Sequence, residues 1–494
     1  MNTDITLVEL NTVMSQAREA FVQFKKISGT KRAKFLEAII QEIEALGPAL
    51  IQQATQETNL PEARLVGERA RTCNQLKQFA DLLREGSWVD AKIDTAIPDR
   101  APLPKPDIRK MFVPIGPVVV FGASNFPFAY STAGVDTASA LAAGCSVVLK
   151  AHPAHPKTSD LVATAIAKAI TNTDMPAHVF QHVHGASFES GKALVQHAET
   201  KAVGFTGSFS GGKALFDYAQ QRTEPIPVFA EMGSINPVIL LPSTVSKNSE
   251  KIAEQYAASI TQGVGQFCTN PGLMLGLANA DLQKFSKTLG DKMQQVAPAF
   301  MLHAGISKAF YSKRRHALEQ ADVELVSQSV TDEPLNAGVP TLASVNAKQF
   351  QQNTVLQEEV FGPYSLLVQA DSMDELKKAI EKIPGQLTCT IMADEQDLIA
   401  HRDIIELVME RAGRVIINGV PTGVEVCSSM HHGGPYPATT DSRFTSVGSD
   451  AIKRWVRPVS FQGFTDGLLP DELKNSNPLG IRRIVNGQYS IDKV

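Results

Sequence analysis

The stretch VVVFGASNFPFAYSTAGVDTASALAAGCSVVLK, residues 118–150, decides the fold. It opens on the apolar run Val118–Phe121, passes a turn rich in Gly, Asn and Pro, and continues through small residues to Gly144. A second apolar run follows at 146–150. Short β-branched runs bounded by turn residues predict strands, and the small-residue segment 131–143 predicts a helix ended by Gly144. The alternation then continues. Helices are predicted at 158–171, 190–197 and 212–221, and strands at 179–183 and 202–206. Strand and helix in strict turn over about 100 residues predict a parallel sheet covered by helices.

Outward from this core the pattern changes. Upstream, residues 6–87 read as helices, with Ala17, Phe21 and Phe24 and then Phe35, Ile39, Ile40 and Ile43 at helical spacing. Gly29 breaks the pattern, and Thr30 is expected to cap the next helix. The segment 96–106, AIPDRAPLPKP, carries four prolines and reads as an extended connection or edge piece. Downstream the β-α pattern is looser, with strands at 237–241 and 273–277 and helices at 250–262 and 282–296.

Composition excludes several classes. The chain has 494 residues, 43% hydrophobic and 20% charged, with a formal net charge of −4. There is ample apolar material to bury, which excludes a disordered chain. The slight acidity argues against nucleic acid as a partner. No basic stretch followed by an apolar one opens the sequence, and no apolar run reaches membrane-spanning length. A cytoplasmic chain with no membrane partner is expected. Five cysteines, at 73, 145, 268, 389 and 427, form no disulfide framework and no zinc spacing. The odd, sparse set suggests a reducing compartment and leaves open that one thiol is chemically used.

Five segments are candidates. Cys268, in GQFCTNPG, sits between glycine and proline; it is either a small packing residue or a thiol nucleophile. FTGSFSGG, residues 205–212, ends a strand and opens a helix, so Gly207, Ser208 and Gly212 form either a structural turn or a phosphate cradle. Glu231 ends a strand beside Gly233 and is either a paired acid or a base reaching a cleft. Asn125 either satisfies its own turn or donates to an oxyanion. QEEVFGP, residues 357–363, reads alone as an acidic surface turn. His182 and His184 share one strand face and His431 and His432 are adjacent. No carboxylate or cysteine stands beside them in sequence, so no metal is expected. No G-x-S-x-G elbow supports serine hydrolysis.

Taken together and in this order, the segments resemble the aldehyde dehydrogenase superfamily along nearly the whole chain. The resemblance implies Cys268 as nucleophile, Glu231 as general base and Asn125 as the oxyanion amide. It implies Lys150 at the cofactor ribose, Gly207, Ser208 and Gly212 at the dinucleotide turn, and Glu359 and Phe361 at the nicotinamide ribose and ring. Phe126 and Phe128 are expected to line the substrate site. The implied fold is α/β: a Rossmann-type cofactor domain (1–91 and 114–231), an α/β catalytic domain (232–450) and a small β oligomerisation element (92–113 and 451–494). A homodimer or homotetramer is expected.

The strings KAHPAHPKTS, EPIPVFAEMGSINPV and HHGGPYPATTDSRFTSVG resemble a narrower branch, the 2,5-dioxovalerate (α-ketoglutaric semialdehyde) dehydrogenases. NADP-dependent fatty aldehyde dehydrogenases share several strings and are the alternative. A thiol esterase or a non-catalytic binding protein on the same fold is a third possibility. NAD-specific relatives place a glutamate three residues after the ribose lysine; here Pro153 stands there, which removes repulsion against a 2′-phosphate. With Lys150 and His152 beside it, NADP is expected, with NAD still open. The loop 185–191 lacks an arginine that the fatty-aldehyde relatives offer that phosphate. For a carboxylate-bearing substrate, Arg443 is either the anion anchor or a structural ion pair.

Overall fold

The computed structural model describes residues 4–494, so the first three residues of the segment assigned as 1–91 lie outside the described residues. The helices Leu7–Phe24, Gly29–Ala45, Gly47–Thr58 and Glu62–Glu85 open the chain. Thr6 and Glu9 form a reciprocal capping box on the first. Ser28, not Thr30, caps the second: its hydroxyl accepts from the Lys31 N–H, so the helix starts two residues earlier than Thr30 suggests. Among the described residues no helix is long and apolar enough to cross a membrane.

The first sheet is wholly parallel. Its spatial order is Phe180–Val183, Val147–Lys150, Val118–Phe121, Ala202–Thr206, Val228–Glu231. Val118–Phe121 is buried along its whole length, because helices cover both faces, and so it reads as unbroken apolar sequence. It is first in the chain but central in the sheet. The next two strands stack to one side and the last two to the other. The order therefore reverses between Val118–Phe121 and Ala202–Thr206, and a crevice for a ligand opens at such a reversal, outside the carboxyl ends of the strands. The Asn125 loop and Gly207–Ser208 follow those two ends.

The helix predicted from 131 begins only at Val135. A Cβ at Gly134 would lie 2.5 Å from the Ala129 carbonyl, so a tight glycine turn replaces the first helical turn. The helix predicted at 250–262 starts earlier, at Pro242, and carries a non-helical residue at Asn248. Proline at the first helical position was the missed start signal.

A seven-stranded sheet follows: Glu324–Gln328, Thr341–Asn346, Tyr364–Ala370, Leu273–Leu277, Val238–Leu240, Gln386–Met392, Ala412–Ile417, with only the first strand antiparallel. A third sheet orders Val456–Gln462, Ile108–Pro114, Lys92–Asp94, Arg483–Val485 and Gln488–Ser490. The first two layers meet where the chain leaves Glu231. There the Met232 N–H donates to the Ala438 carbonyl at 2.8 Å, and Glu231 forms a lone bridge to Thr439.

Candidate active site

Glu231 is the last residue of its strand and is 4% exposed. Its Oε2 accepts from the Ser446 hydroxyl at 2.6 Å, and its Oε1 lies 3.2 Å from His432 Nε2. The same Nε2 lies 3.5 Å from Cys268 Sγ. Two groups from distant parts of the chain thus share one ring nitrogen. Sequence reasoning missed His432, which is 164 residues from Cys268. The doubled histidine before Gly433-Gly434 was a visible oddity, but no spacing linked it to the thiol. Its ring is held by its own backbone: the His432 N–H donates to Thr445 Oγ1 at 2.8 Å, and its carbonyl accepts from the Ser446 N–H at 2.8 Å.

The loop carrying Cys268 is set by its backbone. Gly263, Val264 and Gly265 all adopt positive φ, at 54°, 59° and 63°. A Cβ at Gly265 would lie 2.3 Å from the Gly362 carbonyl oxygen, so glycine is required for this approach. Asn236 then ties the loop to the Glu231 strand. Its Nδ2 donates to the carbonyls of Cys268 and Asn270, both at 2.9 Å. Gln386 Oε1 accepts from the N–H groups of Ile235 and Asn236 and from the Ser234 hydroxyl, which fixes the turn that presents Asn236. Asn125 enters from the first sheet; its Nδ2 donates to the Gln266 carbonyl at 3.2 Å, two residues before the thiol.

Electrostatics favour a protonated thiol beside an ionised acid. Burial, and then the Glu231 charge, push the Cys268 thiol well above its ordinary range, while Arg71 pulls the other way. Burial opposes the Glu231 charge too, but His432 and hydrogen bonds from His432, Ser446 and Cys268 outweigh it, bringing the carboxyl below its usual value.

The cofactor side can be tested against the residues present. Ser208 caps the helix Phe209–Gln220, its hydroxyl accepting from the Gly211 N–H at 3.2 Å. A Cβ at Gly207 would lie 2.7 Å from the Phe205 ring, and one at Gly212 would meet Met232 at 2.6 Å. The turn is therefore bare backbone at a helix N-terminus, which fits an anionic pyrophosphate. Lys150 ends its strand with its ammonium on the Gly185 carbonyl. Glu359 comes from the second layer and accepts weakly from the Ser234 N–H, with its Oε2 against Gly233. Burial raises its carboxyl to about 7. Phe361 is half-buried two residues on.

Other expectations come out differently. His152 stacks on His155 at 5.6 Å and faces His303 at 6.2 Å. Burial, then those two rings, push it down to about 3, so it is neutral and offers a phosphate no charge. Pro153 is exposed. Phe126 lies edge-on to Phe267, the residue before the thiol, at 5.7 Å. Phe128 is instead a core residue, 3% exposed, whose N–H donates to Glu68. Arg443 points to solvent and is held on Asp441 by two hydrogen bonds, at 2.8 and 2.6 Å. The ion-pair reading of Arg443 is the one its surroundings fit. A carboxylate does stand near the paired histidines: Asp160 Oδ1 lies 2.8 Å from His184 Nε2 and 3.7 Å from His182 Nδ1. It comes from the helix Pro156–Asn172, more than 20 residues earlier, so no local spacing announces it.

A thiol beside a carboxylate and an imidazole, next to a parallel sheet that offers bare backbone at its crevice, fits the class of dinucleotide-dependent oxidoreductases. Within that class this chain belongs to the aldehyde dehydrogenase family, whose pattern matches residues 3–455. Among curated proteins it is similar to the alpha-ketoglutaric semialdehyde dehydrogenase of Acinetobacter baylyi, 46% identical over 98% of this chain and 91% of the relative. It is also similar to alpha-ketoglutaric semialdehyde dehydrogenase 2 of Azospirillum brasilense, 48% identical over 96% and 90%. Solved structures give the same fold. A betaine aldehyde dehydrogenase from Staphylococcus aureus superposes with a TM-score of 0.78 at 19% identity, over 95% of this chain and 90% of the other. A glyceraldehyde-3-phosphate dehydrogenase from Methanocaldococcus jannaschii, complexed with NADP, gives 0.77 at 18% identity, over 93% and 95%.

Proposed function

We propose that this aldehyde dehydrogenase oxidises 2,5-dioxopentanoate (α-ketoglutaric semialdehyde) to 2-oxoglutarate, using NADP in preference to NAD. The observation that carries the chemistry is the single imidazole nitrogen shared by Cys268 and Glu231. The two curated relatives support the substrate.

Cys268 Sγ attacks the aldehyde carbon as its proton passes to Glu231, which accepts a hydrogen bond from the thiol and then releases the proton to solvent. The carbonyl oxygen becomes an oxyanion and takes a hydrogen bond from the Asn125 amide, which leaves Gln266 to give it. Removing one such donor costs roughly 10²–10³ in rate. When bound, the nicotinamide supplies the hydride acceptor that takes the adduct to a thioester. Glu231, ionised and next to the sulfur, then removes a proton from water as it adds to the thioester carbon. The C–S bond breaks, the carboxylate leaves and Cys268 regains its proton. Gly207 and Ser208 would hold the pyrophosphate, Lys150 the adenosine ribose and Glu359 with Phe361 the nicotinamide end.

The NADP preference rests on the missing carboxylate at Pro153 and the cation of Lys150, without help from neutral His152. The third sheet, with 92–113 and 451–494, is the oligomerisation element of a homodimer or homotetramer. A substrate panel tests the reading. It compares 2,5-dioxopentanoate, succinic semialdehyde, glutaraldehyde and a long-chain aldehyde, each with NADP and NAD. The expected result is the highest kcat/KM for 2,5-dioxopentanoate with NADP, and no turnover in Cys268→Ala, which still binds cofactor. A long-chain preference, or turnover in Cys268→Ala, refutes it.

A further inference from the structure

The helix Glu62–Glu85 brings Arg64, Glu68 and Arg71 to one side, spaced four and three residues apart. Both arginines lie over rings that adjoin the reacting groups. The Arg64 guanidinium carbon is 5.0 Å from the centre of Phe126, the neighbour of Asn125, and 4.8 Å from Phe267, the neighbour of Cys268. That of Arg71 is 6.0 Å from Phe126 and 5.8 Å from Tyr130, whose ring faces His432 at 6.5 Å.

Stacking on a ring face uses none of a guanidinium's N–H donors. Arg64 Nη2 donates to the Asn125 carbonyl at 2.6 Å, but Arg64 Nη1 and Arg71 Nε and Nη2 are buried with no hydrogen-bond partner among the described residues. Neither arginine forms an ion pair there. Glu68 lies between them, yet its Oε1 is engaged by the N–H groups of Phe128 and Ala129, at 2.8 and 3.0 Å. Its other oxygen accepts no hydrogen bond, and burial raises its pKa despite Arg64. Buried cationic donors left unpaired are costly, and they are retained where an anion completes them. Arg443, exposed and already on Asp441, has no such need.

We propose that Arg71, with Arg64 beside it, binds the carboxylate of the aldehyde substrate and so selects a short carboxylated aldehyde over a neutral one. A neutral aldehyde in the same place would leave the donors unpaired, so discrimination comes from both sides. The proposal rests on the semialdehyde reading above and names the residues that would enforce it.

The test uses the full-length enzyme, Arg71→Gln and Arg71→Lys. In Arg71→Gln, KM for 2,5-dioxopentanoate should rise roughly 10- to 100-fold with kcat changed little, and the preference over pentanal should fall in proportion. Arg71→Lys should recover part of the loss, because it keeps the charge and loses the fork. A second readout needs no turnover: glutarate should protect Cys268 of the wild type from iodoacetamide, read by mass of its peptide, and should not protect Arg71→Gln. An unchanged KM in Arg71→Gln, an equal loss with pentanal, or a wild type unprotected by glutarate overturns the proposal. A wild type that oxidises pentanal better than 2,5-dioxopentanoate refutes the semialdehyde reading instead, and the glutarate measurement then still decides whether these arginines bind an anion.

Discussion

At the scale of residues, the site depends on groups whose charge is set by burial. Glu359 is the one with a value in the working range. Burial lifts its carboxyl to about 7, so it is largely neutral below that pH and ionised above. As an acceptor for ribose hydroxyls the ionised form binds better. Cofactor affinity should therefore tighten as pH rises from about 6 to about 8, and Glu359→Gln should flatten that profile; titration of binding at each pH checks it. The linkage to stability has the opposite sign. The folded value lies above the unfolded value of 4.5, so the fold loses stability between the two as pH rises. Cys268, Glu231 and Asn125 were legible because each sits in a distinctive local string, and the fold does bring them together. His432 and Arg71 were not. One is brought to the thiol by a loop far along the chain. The other looks, in sequence, like any solvated helix arginine, and only the rings it lies over reveal its burial.

At the scale of elements, the active site is a junction between the Glu231 strand and the Cys268 loop, and Gln386 is its fastening. This residue is 2% exposed, on the strand Gln386–Met392. Gln386→Leu would leave the N–H groups of Ile235 and Asn236 without their acceptor. A loss of about 2–4 kcal/mol is expected in denaturant unfolding, with a fall in kcat because Asn236 no longer holds the Cys268 carbonyl in register. The strands Ala202–Thr206 and Leu273–Leu277 were legible to the residue, since apolar runs flanked by turn residues leave little choice of ends. The helix starts at Val135 and Pro242 were less legible. One is set by contact between Gly134 and a carbonyl, the other by a proline that local propensity counts against a helix.

At the scale of the whole molecule, the two large sheets divide the labour. The first offers bare backbone at its crevice, and the second supplies Cys268 and Glu359. The C-terminal part of the chain closes the arrangement: Arg454 pairs with Asp136 at 2.7 Å, and Trp455, fully buried, donates to Ser139 of the first layer at 2.7 Å. The resemblance implied a small β element joining 92–113 to 451–494, but the residues alone read only as a proline-rich extension, because the strands of the third sheet come from both ends of the chain. One of its edge strands, Val456–Gln462, has Ile108–Pro114 on one side and, among the described residues, no strand on the other, with Pro458 in its middle. Such an edge leaves backbone N–H and C=O groups open to a second chain. If a second chain completes it, the thermal midpoint should climb as the protein is concentrated, and a charge placed on that strand, as in Val459→Lys, should abolish the climb while leaving the dilute midpoint nearly where it was. Calorimetry across a dilution series would read both. The resistance of this enzyme to heat would then be a property of its abundance as much as of its sequence.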